Sequence, residues 1–333
     1  MQDAEITQHK WIVTGTEGFL GNTIVRRLFE AGARVRAGVY PDREPESLAG
    51  IECEKFYADI TDPADVARLF DGAGADTFII HCAGIVSIAN QVRREVRSVN
   101  VGETRNIVYA CREHSVARLV YTSSVHALPE DDGIITETKD ITPAQVVGEY
   151  AKTKAEGTRL VLDAENIDRV VVHPSGILGP GDYGDGHLTR LIRDLMNGRL
   201  TSIVNGGYDF ADVRDIADAC IAAAYRGRNG ENYILNGTET SIREMSDLVC
   251  KTIGRKRTPT VLPTWFAKLT APAAELWYKL RGTAPLYTRY SLYTLQAPAQ
   301  FSHAKASAEL GYSTRPVEET IVDTVRWIQK HPQ

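Results

Sequence analysis

The 333-residue sequence predicts an α/β protein, a doubly wound parallel sheet followed by a smaller, mostly helical second region. Three observations carry that prediction. A short apolar run, Trp11 to Val13, leads into Gly15, Gly18 and Gly21 and then into an amphipathic stretch. Strand-like and helix-like patterns alternate from there through Val172. After Pro174 the alternation stops and glycine and proline accumulate. Alternation of this kind implies parallel strands with right-handed crossovers and helices on both faces. Ligands of such sheets lie beyond the carboxyl ends of the strands, where the strand order reverses.

Each element has its own signal. Trp11 to Val13 reads as a buried strand, the glycines as a tight turn and Asn22 to Ala31 as a helix. Arg34 to Val39 is a second strand, and Glu52 to Ala58 a third that ends at Asp59. Pro63 to Phe70 is a helix with Asp62 as its N-cap and proline at its first position. Thr77 to His81 is a fourth strand, Asn90 to His114 a full crossover helix, and Arg118 to Thr122 a fifth strand. Val125 to Val146, broken by Pro129, Gly133 and Pro143, is a loop. Gly148 to Asn166 is a helix and Arg169 to Val172 a sixth strand. Beyond Pro174, helices are expected at Thr189 to Asn197, Val213 to Tyr225 and Ser241 to Ile253, the last with Ser241 and Glu244 in capping-box spacing. Asn232 to Leu235 is a strand that could rejoin the main sheet. Thr264 to Leu280 is apolar enough for a core or lid helix; its polar face is not basic enough for a membrane-surface helix. The expected organisation is a sheet domain of residues 8–173 plus 212–236, a substrate domain of 174–211 plus 237–315, and a C-terminal helix over 316–333.

Composition narrows the functional classes. The chain is 43% hydrophobic and 24% charged, with a net charge of −5 and no block of like charges. Neither nucleic acid nor an anionic membrane is indicated as a partner. The five cysteines are scattered without a C-x-x-C pair, which argues against a disulfide framework or a zinc site and fits a reducing cytoplasm. No metal site is expected. No apolar run approaches the ~20 residues needed to span a bilayer.

Candidate chemistry sits at strand ends. Glycines in the first turn let the backbone close on a pyrophosphate, and the helix N-terminus offers free N–H groups and a positive dipole end to the same anion. The spacing, T-G-x-x-G-x-x-G, departs from the usual G-x-G-x-x-G, so its meaning depends on the residues downstream. Ser123 and Ser124 stand at the carboxyl end of the fifth strand. Tyr150 and Lys154 share one helix face. A Tyr-x-x-x-Lys pair alone is usually a solvated face. Here it comes after the glycine turn and the serine pair, and an ammonium one turn from a phenol can stabilise the phenolate. Serine, tyrosine and lysine together suit carbonyl reduction or alcohol oxidation with a hydride-carrying cofactor.

At this point the sequence resembles the extended short-chain dehydrogenases/reductases, over nearly the whole chain. The resemblance rests on Thr14 to Gly21, Ala58-Asp59-Ile60, His81 to Gly84, Val99-Asn100-Val101, Tyr121 to Ser124, Tyr150-x-x-x-Lys154, Pro174 to Pro180, Asp212 to Asp215, and Ser302 to Lys305 with Leu310-Gly311. It implies a Rossmann sheet, with Tyr150 as general acid/base, Lys154 binding the nicotinamide ribose and lowering the tyrosine pKa, and Ser124 orienting the substrate oxygen. It further implies that Asp59 binds adenine, that Cys82, Ala83 and Gly84 line the cofactor, and that Gly15, Thr16, Gly18, Phe19, Leu20, Ile60, Pro174 and Ile177 complete its site. Asn100 is expected to support the central helix. A helix-capping role is equally open for Asp59.

The branch that looks most similar is the dihydroflavonol-reductase-like one, whose members reduce a ketone or aldehyde with NADPH. The serine pair is followed by Val125-His126, without the Val-Tyr-Gly run or the acidic pair of the sugar-nucleotide members. An NAD-dependent sugar-nucleotide epimerase or dehydratase is the alternative, and a non-catalytic NAD(P)-sensing protein a second one. No acid ends the second strand, where Tyr40 stands, and Arg36 and Arg43 could pair with a 2′-phosphate, which favours NADP, with NAD the other option. Asp42 would oppose this if turned inward. Val86, His126, Tyr183 and Tyr208 are candidate substrate contacts; His126 is equally consistent with an exposed loop histidine. Arg190, Arg193 and Arg199 could grip a diphosphate, although a solvated face is the simpler reading. Cys82 reads as a small buried hydrophobe. The resemblance suggests a homodimer through the long helices.

Overall fold

A computed structural model describes residues 3–41, 45–86, 94–130, 133–256, 258–265 and 300–332, together with 267, 269, 293, 295 and 296. A short helix, α1 (Asp3–Ile6), precedes the first half, which builds β1 (Lys10–Thr14), α2 (Phe19–Glu30), β2 (Arg34–Val39), β3 (Glu54–Tyr57), α3 (Pro63–Leu69) and β4 (Thr77–His81). Then come α4 (Arg94–Arg97), a π-helical turn (Ser98–Glu103), α5 (Thr104–Glu113), β5 (Arg118–Thr122), α6 (Glu149–Leu162) and β6 (Arg169–Pro174). The second half adds β7 (Gly176–Leu178), α7 (His187–Met196), β8 (Ser202–Val204), β9 (Gly207–Asp212), α8 (Val213–Arg226), β10 (Glu231–Leu235), β11 (Thr238–Ser241), α9 (Ile242–Thr252), β12 (Thr260–Leu262), α10 (Ala304–Leu310) and α11 (Val317–Lys330).

The main sheet has seven parallel strands in the order β10-β6-β5-β4-β1-β2-β3. Its central strands are apolar on both faces, as a sheet covered on both sides requires. From β1 the chain steps outward to β2 and β3, then crosses to the other side of β1 as β4. The order therefore reverses between Thr14 and His81. One layer of core buries Leu20, Ile24, Val25 and Leu28 of α2 with Ile216, Ala217, Cys220 and Ile221 of α8; the other buries Val66, Ile107, Cys111 and Val161 of α3, α5 and α6. β10 does rejoin the main sheet beside β6. Asp62 caps α3 by accepting from the Ala64 N–H, and Ser241 with Glu244 closes a capping box on α9.

The second region holds more strand than a mostly helical reading conveys. β7, β9 and β11 form a three-stranded sheet and β8 with β12 a two-stranded one. These strands are short, three to six residues, so neither alternation nor apolar runs announce them. They cover a third core of Leu178, Ile192, Leu195, Phe210, Met245 and Val249 with Ile321 and Val325 of α11. The expected helix over Asn90 to His114 falls partly outside the described residues, and its described part carries the π turn. α6 ends at Leu162, before Asn166, which sits in the left-handed region at φ 61°. Most of the expected Thr264 to Leu280 helix lies outside the described residues. No helix among the described residues is long and apolar enough to cross a membrane. All five cysteines are free thiols.

Candidate active site

The glycine turn is closed by its own backbone. A Cβ at Gly21 would come within 2.1 Å of the Gly15 carbonyl oxygen, and one at Gly15 within 2.6 Å of the Ala83 nitrogen. Gly15 also has φ 71°. Glycine is required at both positions, because strand, helix and the end of β4 meet there without room for a side chain. α2 begins after Gly18, which supplies no side-chain cap, so its first N–H groups face the strand ends. A cradle of backbone N–H groups at a helix N-terminus, lying at the reversal of strand order, fits the diphosphate of a dinucleotide.

Across the reversal point, β5 ends in the serine pair. Ser123 is structural: its hydroxyl meets Thr158 at 2.5 Å. Ser124 caps a 3₁₀ turn (Val125–Ala127), its Oγ accepting from the His126 N–H at 3.2 Å. The same hydroxyl stands near enough to Tyr150 to pull the phenol's pKa down. Tyr150 and Lys154 lie on the buried face of α6. Burial pushes the phenol up to about 12, only partly offset by Ser124. Burial pushes Lys154 down to about 8, with Cys82 and Glu103 holding it up in part. The Lys154 Nζ donates to the Thr122 carbonyl at 3.0 Å and lies 5.4 Å from the centre of the Tyr121 ring. A Cβ at Gly84 would come within 3.2 Å of that Nζ, so the glycine keeps the lysine's approach open.

The phenol stands above its ordinary value because burial outweighs the downward pull of Ser124.

Residues 11–236 match the model of the NAD dependent epimerase/dehydratase family. The chain belongs to that family. A relative in Methylococcus capsulatus, sterol demethylase protein B, is 28% identical over 96% of this chain and 98% of its own length. A dihydroflavonol 4-reductase-like protein of Synechocystis is also 28% identical, over 96% and 95%. The crystal structure of gox2253 superposes with a TM-score of 0.83 at 29% identity, covering 98% of this chain and 99% of that one. As a member of the extended short-chain dehydrogenase/reductase group the protein is an NAD(P)-dependent oxidoreductase.

Several expected cofactor residues turn their side chains to the protein itself. The Thr16 hydroxyl donates to the Gly38 carbonyl at 2.8 Å, Leu20 and Ile60 are buried in the two main cores, and Phe19 and Ile177 pack against the first of them. Asp59 turns one oxygen to the N–H and hydroxyl of Thr61, which makes it a turn-former. Cys82 meets the Thr122 hydroxyl at 3.3 Å, and burial pushes its thiol up to about 11. Pro174 ends β6 opposite Leu235. His81 is fully buried between Thr14 and Thr104, and burial pushes it down to about 3, in keeping with a packing role. Asn100 does support its surroundings, holding both backbone groups of Ile85 and the Thr153 hydroxyl.

Three expected contacts are corrected. Arg36 does not point toward a 2′-phosphate: its guanidinium donates to the Leu69 and Asp71 carbonyls and pairs with Glu54 at 2.9 Å, toward the amino ends of the strands. Tyr183 packs edge-on against Trp327 and His331 under the Arg26 guanidinium, away from α6. Tyr208 lies on β9, edge-on to Phe210 in the third core. Arg43 and Asp42 lie outside the described residues. Val86 is 60% exposed just beyond Gly84. His126 is exposed, and desolvation lowers its pKa against an upward pull from Glu130.

Two residues passed over in the sequence come into the site. Glu103 is buried on the π turn, and burial with the charge of Asp59 pushes its carboxyl up to about 8 against the pull of Lys154. Glu17 accepts the Tyr40 N–H at 2.8 Å. Its signal is readable: a charged residue inside a turn otherwise made of glycine, threonine and phenylalanine.

Proposed function

We propose that the protein interconverts an alcohol and a ketone or aldehyde on a small, largely apolar substrate, with Tyr150 as proton donor and acceptor. The observation that carries this reading is the placement of Tyr150 beside Ser124, one helical turn from a buried Lys154 on the same helix face. The nicotinamide, when bound, supplies or accepts the hydride. Ser124 hydrogen-bonds the substrate oxygen and Tyr150 moves the proton at that oxygen. Lys154 is held by Thr122 beside Gly84, where it can meet a ribose hydroxyl. A phenol held near 12 is protonated at neutral pH and ready to act as the acid of a reduction. Oxidation needs the phenolate, so its rate rises with pH.

An apolar substrate is supported by three exposed side chains, Ile85 and Val86 just after Gly84 and Val147 three residues before Tyr150. The sterol named for the Methylococcus relative points the same way. A sugar nucleotide draws less support, because Arg190 and Arg193 pair with Asp185 and Arg199 with Asp194. We assign cofactor binding to residues 8–173 plus 212–236 and substrate binding to the rest before the C-terminal helix. A cytoplasmic homodimer joined through α5 and α6 belongs to the same reading; Tyr109 on α5 is 60% exposed.

The test is a panel of apolar ketones, aldehydes and nucleotide sugars offered with each dinucleotide, repeated with Tyr150→Phe. Turnover of apolar carbonyls, lost at least about a hundredfold in the variant with dinucleotide affinity kept, is expected. Turnover confined to nucleotide sugars, or kept in the variant, would overturn the reading.

A further inference from the structure

The end of β2 presents a carboxylate that does not come from β2. In dinucleotide-binding sheets an acid at this strand end accepts from the adenosine ribose 2′-hydroxyl and repels a 2′-phosphate. Here the strand itself supplies Tyr40. Glu17 reaches across from the glycine turn and places one carboxylate oxygen 2.8 Å from the Tyr40 N–H. That hydrogen bond pins the charge at the tip of β2, next to the cradle that fits the diphosphate. Among the described residues the second oxygen has no hydrogen-bond partner, which leaves it to accept from a ribose hydroxyl.

The described cations nearest in the fold are committed elsewhere. Arg36 is turned to the Leu69 and Asp71 carbonyls and to Glu54. Arg26 donates to the Ser47 carbonyl at 2.5 Å and covers the Tyr183 ring. A 2′-phosphate brings roughly −1.5 to −2 charge at neutral pH to a point where a fixed carboxylate already stands.

We propose that Glu17 sets the cofactor preference of this enzyme toward NAD(H) and against NADP(H), taking over from the glycine turn the role that an acid at the end of β2 would otherwise fill. This rests on the dinucleotide-dependent reading above and reverses the NADP preference that Arg36 and Arg43 suggest from charge placement in the sequence. Glu17 acts on selectivity without touching the reacting atoms. Its removal therefore changes which dinucleotide binds more than it changes the chemistry.

The experiment is equilibrium binding of NADH and of NADPH by nicotinamide fluorescence, without substrate, to the wild-type protein, Glu17→Ser and Glu17→Gln, with a thermal melt of each to verify folding. The wild type is expected to bind NADH at least about tenfold tighter than NADPH. Both variants are expected to tighten NADPH by about tenfold, while NADH weakens only a few-fold because one hydrogen bond is lost. Raising the salt should narrow the wild-type ratio and leave that of the variants unchanged, since only the former contains a charge repulsion. NADPH binding as tightly as NADH to the wild type, or a ratio unmoved in both folded variants, would overturn the assignment of Glu17 and leave the proposed function standing. Binding of neither dinucleotide would overturn both.

Discussion

The two ends of the cleft are built differently. At one end, Ser124, Tyr150 and Lys154 bring three side chains together from two elements, and their chemistry depends on burial. At the other, around Gly15 and Gly21, the site is backbone, and its quality depends on side chains being absent. A side-chain site is written in residue type and spacing, whereas a backbone site is written in what is missing and in where the neighbouring side chains turn.

The largest expected effect lies at the backbone end. Gly21→Ala places a methyl group 2.1 Å from the Gly15 oxygen, and backbone cannot give way there. Dinucleotide affinity should fall by about a hundredfold or more, or stability by about 3 kcal/mol, read by binding titration and chemical denaturation. Gly18→Ala, whose Cβ would sit 3.2 Å from the same oxygen, should cost much less. Equal tolerance of both would dissolve the contrast between the two ends.

At the side-chain end, Lys154→Met should lower kcat by about a hundredfold and yet raise the melting temperature at pH 7. The folded pKa of this lysine is depressed to about 8, so the fold bears the cost of charging it below pH 8. That cost disappears as pH rises from about 8 to the ordinary lysine value, and the advantage of the variant over the wild type should shrink across the same window. A variant that is less stable at pH 7 would mean that the bond to Thr122 outweighs desolvation.

Glu103→Gln tests the same principle with the opposite charge. A carboxyl raised to about 8 stabilises the fold fully only below its ordinary pKa and loses that advantage as pH climbs to 8. Glutamine should therefore raise stability by about 2 kcal/mol at pH 8 and change little at pH 4, as followed by urea denaturation at both pH values. The smallest effect belongs to Arg36→Ala. It should destabilise the protein by about 1 kcal/mol through lost bonds to Leu69 and Asp71. The ratio of NADH to NADPH affinity should stay as it is, and a shift in that ratio would return Arg36 to the ribose.

This contrast also explains which features the sequence makes readable. β4 and β5 are legible to the residue because short, nearly continuous apolar runs between turn residues have few other readings. The serine, tyrosine and lysine are legible because their spacing fixes a shared helix face and a strand end. Arg36 is misread because the sequence shows its strand and not the direction of a long side chain, which the carbonyls at the end of α3 decide. Tyr183 and Tyr208 are misread for a related reason: an aromatic ring near a cleft packs wherever a partner ring is offered, and here those partners lie on α11 and β9. The short strands of the second region carry no periodic signal at all.

The wide turn over Ser98–Glu103 has a consequence for how the crossover helix can vary. One additional residue per turn rotates the rest of the helix by about 100° relative to a regular α-helix. It is this offset that lets Asn100 clasp the loop after β4 while α5 keeps Ile107 and Cys111 turned into the sheet. Deleting a single residue from the turn would restore a uniform helix and force a choice between the two engagements: the chain could keep its hydrophobic seam or its hold on Ile85, but the phase that allows both would be gone.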